Sequence, residues 1–295
     1  MCGPMAASLR RKIMYAVATD DRLESVARAV PLLERRAHQA SKRYVAGATL
    51  DEAMLTVQRL HRAGFGVSLD LFGEGNRDQA AIERIVASYR DAAARLGSMG
   101  VDAHLEVVPS HLGLDLGVDR CRRYVDELIN LLPRGAKLEV SAEESWRTPK
   151  IMELTLALAK DGAPVVATVQ ANLRRSESDT EHLVAAGVPI RLVKGAYLEA
   201  PKVAHRWGDE TDLAYVRLAH AVHDSGELIL ATHDPILREA LLSTMDGLAI
   251  EMLLGVREDD AAALVRRGIP VRIYAPYGDQ WFRYWMRRVA EAQGH

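Results

Sequence analysis

The chain has 295 residues, 48% of them hydrophobic and 26% charged, with a formal net charge of −2. That balance fits a folded domain with a sizeable core and gives a polyanion such as nucleic acid no basic surface to bind. Two cysteines, Cys2 and Cys121, exclude a disulfide framework, and apolar runs such as 252–256 are far too short to cross a bilayer. The apolar patch at 13–18, behind Arg10, Arg11 and Lys12, is cut off by Asp20 and Asp21 before it reaches the length of a signal-peptide core. The expectation is a cytoplasmic protein with no stable membrane anchor.

In chain order, 23–43 and 50–63 read as helices, so residues 1–65 are expected to form a helical extension that caps the bottom of a domain formed by 66–295. From there a short β-branched run, a polar turn and a helical stretch recur. The pattern predicts strands over 67–71, 103–108, 137–140, 165–169, 190–193, 228–231, 248–253 and 271–274. Each is a compact apolar run, as parallel strands covered by helices should be. Amphipathic stretches lie between them at 76–96, 121–132 and 148–158. The first keeps Ile82, Ile85, Val86 and Tyr89 near one face and turns Arg84, Arg90 and Asp91 to another. Glycines 64, 162, 187 and 268 each precede a strand, the last three in an x-Gly-x-Pro form that reads as a helix C-cap. Eight strands alternating with helices imply an α/β fold, a (βα)8 TIM-type barrel with additional N-terminal helices. The rival is an open doubly wound sheet, which needs a glycine-rich phosphate turn after its first strand. The segment Leu71-Phe72-Gly73-Glu74-Gly75 is not such a turn.

In a barrel of this kind the chemistry sits at the C-terminal ends of the strands. Those ends carry Asp70 and Glu74, then Ser141 and Glu143, then Gln170 and Asn172. Further on come Arg191, Lys194 and Tyr197, then Thr232-His233-Asp234, and last Tyr274 and Tyr277. A ring of functional side chains converging from different strands is what an active site needs. Plainer readings stand beside it: Lys194 in an ion pair with Glu143, and His233 as part of a helix cap with Asp234. Arg191 lies inside an apolar strand, where an unpaired charge is expensive. The stretch 279–291 reads as a helix capped by Asp279. Trp281, Trp285 and Val289 form its buried stripe, with Tyr284, Arg287, Arg288 and Glu291 on a neighbouring face. Its first turns should overhang the barrel mouth, where the two guanidiniums would clamp a carboxylate with forked hydrogen bonds; the plain alternative is a solvated basic face. The histidines show no metal-ligand spacing, and no metal site is expected.

The run Arg191-Leu192-Val193-Lys194-Gly195-Ala196-Tyr197, with Glu199 after it, resembles a signature of the proline dehydrogenase family. So does Arg272-Ile273-Tyr274-Ala275-Pro276-Tyr277-Gly278, followed by Trp281, Tyr284 and Arg287-Arg288. Supporting matches are Ala231-Thr232-His233-Asp234, Gln170-Ala171 and Met252-Leu253-Leu254-Gly255. The resemblance implies an FAD-containing barrel that removes a hydride equivalent from an amino-acid-like amine and passes electrons to a quinone or other acceptor, with at most transient membrane contact. It implies that Arg191 is catalytic, lying beside the flavin N5 where negative charge develops. Gln170, Lys194, Gly195, Ala196, Thr232 and His233 would hold the rest of the cofactor. Arg287 and Arg288 would bind the substrate carboxylate, with Tyr274, Tyr284 and Leu253 as walls.

Departures from the family pattern fall on the substrate side. Val108 stands where relatives carry a lysine, Ser141 where they carry an aspartate, and Asn172 where they carry a tyrosine. Ala249-Ile250-Glu251 replaces a Glu-x-Gln motif. Losing a lysine and an aspartate together avoids a stranded buried charge and is how a remodelled pocket would look. The expected function is a flavin-dependent dehydrogenase whose substrate differs from proline. The alternatives are a genuine L-proline dehydrogenase giving pyrroline-5-carboxylate, a barrel lyase using Lys194 as a Schiff-base former, and a non-catalytic barrel.

Overall fold

The computed structural model describes residues 37–73 and 77–292. Its strands are β1 (Gly66–Leu71), β2 (Ala103–Val107), β3 (Leu138–Val140), β4 (Val165–Gln170), β5 (Ile190–Val193), β6 (Leu228–Ala231), β7 (Ala249–Leu253) and β8 (Val271–Tyr277). All pair in parallel and in chain order, and β8 returns to β1 to close the barrel. The helices are α1 (Leu50–Arg62), α2 (Gln79–Met99), α3 (Val118–Leu131), α4 (Thr148–Lys160), α5 (Ser176–Ala185), α6 (Asp209–His223), α7 (Pro235–Leu242), α8 (Glu258–Arg266) and α9 (Trp281–Ala292). The (βα)8 expectation holds. Most of the helix expected over 23–43 lies outside the described residues, of which 37–41 are helical.

The turn from helix to strand reuses one device. After α5, Gly187 takes φ 68°, a left-handed conformation that a Cβ would strain, and reverses the chain into Pro189 and β5. Gly162 and Gly268 repeat it with φ 78° and 79°. Helix starts are equally local. Asp78 accepts from the Ala81 amide at 2.8 Å and sets the beginning of α2, which is why that helix starts at Gln79 and not at 76.

The two faces of the strands differ. Outward residues such as Leu69, Leu105, Val107, Leu138 and Leu192 are buried against Ile82, Val86 and Tyr89 of α2, Leu154 of α4 and their counterparts around the ring. Inward residues include Ser68, Asp70, His104, Glu106, Glu139, Arg191 and Glu251, all buried. Barrels are usually filled by branched apolar side chains; this one is filled by charge.

One expectation is corrected. Helix α1 does not cap the barrel bottom. The segment before it is tied to the C-terminal end of β8, with Ala46 N donating to the Pro276 carbonyl at 2.8 Å and Gly278 N to the Gly47 carbonyl at 3.0 Å. From there α1 packs along β1 and β8 and buries Ala53, Met54, Val57 and Leu60 in the main core. It therefore fills the place in the outer ring between the last strand and the first. The final helix, α9, is displaced toward the mouth. There Trp281, Phe282 and Tyr284 pack with Val45, Phe72 and Tyr274, the last two at the C-terminal ends of β1 and β8.

Candidate active site

The C-terminal ends of the strands surround a cavity of about 700 Å³ roofed by α9. Of the residues singled out in the sequence, Val108, Ser141, Gln170, Arg191, Ala196, His233, Leu253, Tyr274, Tyr284 and Arg288 line it. Lys194, Gly195 and Thr232 are not among the residues that line it. The Arg287 side chain is outside the described residues. Asn172 is buried beneath Gly195, where an added Cβ would come within 2.1 Å of the Asn172 Oδ1.

Arg191 is 6% exposed. Its Nε donates to Thr168 Oγ1 at 3.0 Å, and its Nη1 reaches Glu106 Oε2 at 2.6 Å, Glu251 Oε1 at 2.7 Å and Glu139 Oε2 at 3.2 Å. Nη2 donates to Glu106 Oε1, completing a forked pair. A guanidinium carries five N–H groups. Thr168 takes one, three carboxylate oxygens share the two on Nη1, and Glu106 takes one on Nη2. The remaining Nη2 hydrogen has no acceptor among the described residues. Burial alone would favour loss of the charge, but Glu106, Glu251 and Glu139 outweigh it and hold the proton more firmly than usual.

The three glutamates behave differently because their donors differ. Burial raises the Glu139 pKa, yet the hydrogen bond from His104 Nδ1 at 2.7 Å and the Arg191 charge outweigh it and hold the group at about 2. Ser68 Oγ also donates to it. Glu251 has only the Arg191 contact, and its Oε2 is buried with no hydrogen-bond partner. Burial, then repulsion from Glu139 and Glu106, push it up to about 8 despite Arg191. Asp70 is aligned with Glu106 across β1 and β2. Its Oδ2 accepts from the Tyr274 hydroxyl at 2.5 Å, and its Oδ1 has no partner. Burial and Glu106 push the Asp70 carboxyl well above the usual range, against Tyr274 and Arg191.

Around the rim, His233 accepts at Nε2 from the Leu253 amide at 2.9 Å, so its hydrogen is on Nδ1. Burial, then Arg288 and Arg238, lower its pKa to about 4, which keeps the imidazole neutral. The helix cap belongs to Asp234, which accepts from the Ile236 and Leu237 amides. Gln170 spends Nε2 on the Glu143 carbonyl at 2.8 Å, leaving Oε1 as an acceptor. Lys194 does not pair with Glu143. Its Nζ meets Asp212 at 2.6 Å and Asp234 at 3.0 Å, while Glu143 takes the Ser110 amide and Arg147. Engaged by two carboxylates and off the cavity wall, Lys194 lacks the access a Schiff-base former needs. On α9, the Arg288 guanidinium lies 5.0 Å from the Tyr284 ring centroid, facing the cavity and not solvent alone.

Glu106, Glu139, His104 and Ser68 were not proposed as site residues from the sequence, and Glu251 was noted only as the end of the segment that replaces a Glu-x-Gln motif. Their signal was present as polar or charged residues at alternate positions within apolar strands, such as His104 and Glu106 flanking Leu105. That spacing puts both on one face. Glu106 also answers one of the departures. Ser141, at the aspartate position, hydrogen-bonds Glu106 Oε1, so an acid from β2 stands beside the position where the resemblance expects one on β3.

A closed parallel barrel with a buried cation, a neutral imidazole and paired carboxyl groups at its C-terminal end is an enzyme architecture. The chain belongs to the proline dehydrogenase family, whose model matches residues 53–295. It is 30% identical over 304 residues to a proline dehydrogenase of Deinococcus radiodurans, covering 97% of this chain and 95% of that one. It is 28% identical over 262 residues to proline dehydrogenase 2 of Bacillus subtilis, covering 85% and 86%. Among solved structures, proline utilization A from Bdellovibrio bacteriovorus superposes with a TM-score of 0.79 at 18% identity. That match covers 96% of this chain but 36% of the other, so the chain spans about a third of that longer protein. The protein is therefore a dehydrogenase of the proline dehydrogenase type.

Proposed function

We propose that the barrel mouth holds FAD and oxidises a small amino-acid-like amine, and that proline is not its preferred substrate. Arg191 carries the reading. It is a cation gripped by Thr168, Glu106, Glu139 and Glu251, it lines the cavity, and one of its Nη2 hydrogens has no acceptor among the described residues. A preorganised charged donor of this kind belongs where negative charge builds up during reaction. The rest of the wall suits a flat heteroaromatic ring, with a neutral His233 offering Nδ1–H and Gln170 offering Oε1. When bound, FAD supplies the acceptor for the hydride equivalent that leaves the amine-bearing carbon. Lys194, Gly195, Ala196 and Thr232, at the ends of β5 and β6, would hold the remainder of the cofactor.

Arg288, with Arg287, would anchor the substrate carboxylate while Tyr274, Tyr284 and Leu253 wall the pocket. Anchoring one end of a small molecule fixes the reacting carbon, which is catalysis by positioning. The amine must be neutral to release hydride. A quinone or another soluble acceptor would take the electrons onward. No described helix is long and apolar enough to cross a membrane. The preference against proline rests on Val108 and Ser141, which stand where relatives carry a cation and an anion, and on Glu251, which brings an acid where relatives carry a glutamine.

The test is anaerobic bleaching of the flavin absorbance in the purified protein by a panel of amino acids that includes excess proline. Faster bleaching by an amino acid other than proline is expected. Fastest bleaching by proline would leave an ordinary proline dehydrogenase in its place.

A further inference from the structure

Four inward carboxyl groups meet one guanidinium at the base of the cavity. Glu106, Glu139 and Glu251 crowd Arg191, with oxygen atoms all within 4.8 Å of one another. Asp70 stands beside Glu106 across the β1–β2 pair. Were all four ionised beside Arg191 alone, the enclosed group would carry three surplus negative charges, more than a buried site tolerates. Burial and acidic neighbours instead push Asp70 well above the usual carboxylate range and Glu251 up to about 8, which favours their protonated forms. Asp70 Oδ1 and Glu251 Oε2 are both buried with no hydrogen-bond partner among the described residues. Native proteins leave few buried polar atoms unsatisfied. Two such atoms, on residues that both line one cavity, mark a place where a donor from outside completes the structure.

We propose that Asp70 and Glu251, backed by Glu106, form a subsite for a cationic nitrogen, so that the substrate is an amino acid carrying a second basic nitrogen. This rests on the reading of the cavity as a substrate pocket. An ammonium brings three donors and a guanidinium five, and its single charge replaces one of the protons these carboxyl groups hold. Arg288, on the roof of the same cavity, takes the carboxylate end of such a molecule. An apolar side chain would leave both oxygens unsatisfied, and a neutral polar one could donate to them without supplying the charge. A metal ion fits less well, because Arg191 already occupies oxygens of Glu106, Glu139 and Glu251.

The substitution Glu251→Gln keeps the shape and removes the charge. Glu251 is faced by Arg191 from β5, Glu106 from β2, Glu139 from β3 and Arg272 beside it on β8. Binding is measured by calorimetry on flavin-loaded protein held reduced, so that ligands bind without turnover. L-lysine and L-arginine are compared with their uncharged counterparts L-norleucine and L-citrulline. The cationic members should bind at least about tenfold tighter, the worth of one charge-assisted hydrogen bond. They should also release about one proton per molecule bound, with affinity rising up to about pH 8 and levelling above it. Glu251→Gln should abolish the preference and the proton release, and Asp70→Asn gives the same readout should the first variant fail to fold. Equal affinities in the wild type, or a preference that survives both substitutions, would overturn the subsite. So would tight binding of Mn²⁺ alone that Glu251→Gln removes. A protein that takes up no flavin sinks the proposed function, whereas flavin-loaded protein without cation preference sinks only this subsite.

Discussion

Along β2, Leu105 and Val107 turn outward and are fully buried among helix side chains, while His104 and Glu106 turn inward to Glu139 and Arg191. The same strand thus serves two chemistries one residue apart. The outer face is held by close packing, where every contact is weak and interchangeable. The inner face is held by a few strong, mutually dependent charges, two of whose oxygen atoms have no partner. Stability comes mainly from the first and function from the second, and substitutions on the two faces should separate accordingly.

The largest effect is expected at the centre of the inner face. Arg191→Met leaves three glutamates without their cation. Breaking a buried ion network by removing one partner costs about 3–5 kcal/mol, and losing a charged stabiliser of the reaction slows flavin reduction by about 10²–10³. Denaturant unfolding and anaerobic stopped-flow absorbance measure the two. A variant as stable as the wild type would show that the cluster is not coupled.

Leu105→Ala tests the other face of β2. Truncating a fully buried leucine should lower stability by about 2–5 kcal/mol, with flavin reduction unchanged at a temperature where the variant is folded. A large loss of rate would erase the contrast between the faces. A third effect is a pH dependence. The Glu251 pKa is raised to about 8 in the folded state from an ordinary 4.5, so between these values the unfolded chain binds fewer protons and stability falls as pH rises. Glu139 works in the opposite sense. With its pKa lowered to about 2, it contributes stability above pH 4.5 that is lost as the pH falls toward 2. Glu251→Gln should flatten the decline on the alkaline side and leave the acid limb unchanged, as read by unfolding midpoints across the range.

The outer face was the legible one. Apolar runs and glycine turns placed all eight strands to within a few residues, because parallel strands under helices must be continuous in hydrophobicity. The exception is β8, which the pattern ends at 274 and the structure extends to Tyr277. Pro276 reads as a strand breaker, but it lies beyond the last pairing with β7, at Tyr274, where a missing N–H disturbs no ladder on that side. The position of α1 was not legible, since its amphipathic face fits a cap or a ring equally well; the contact of Gly47 with β8 decides it. On the inner face the sequence revealed Arg191 and the residues at the strand ends. It did not reveal that Glu106, Glu139 and Glu251 converge on Arg191. Each sits on a different strand, and only barrel closure and register bring them together.

The most direct measurement is the visible spectrum of the wild-type protein after reconstitution with FAD, compared with that of Arg191→Met. Flavin bands in the wild type that bleach under anaerobic conditions with an amino acid, and persist in the variant, are the expected result. A wild-type protein that stays colourless after reconstitution, or a variant that bleaches at the same rate, would contradict an isoalloxazine held against Arg191.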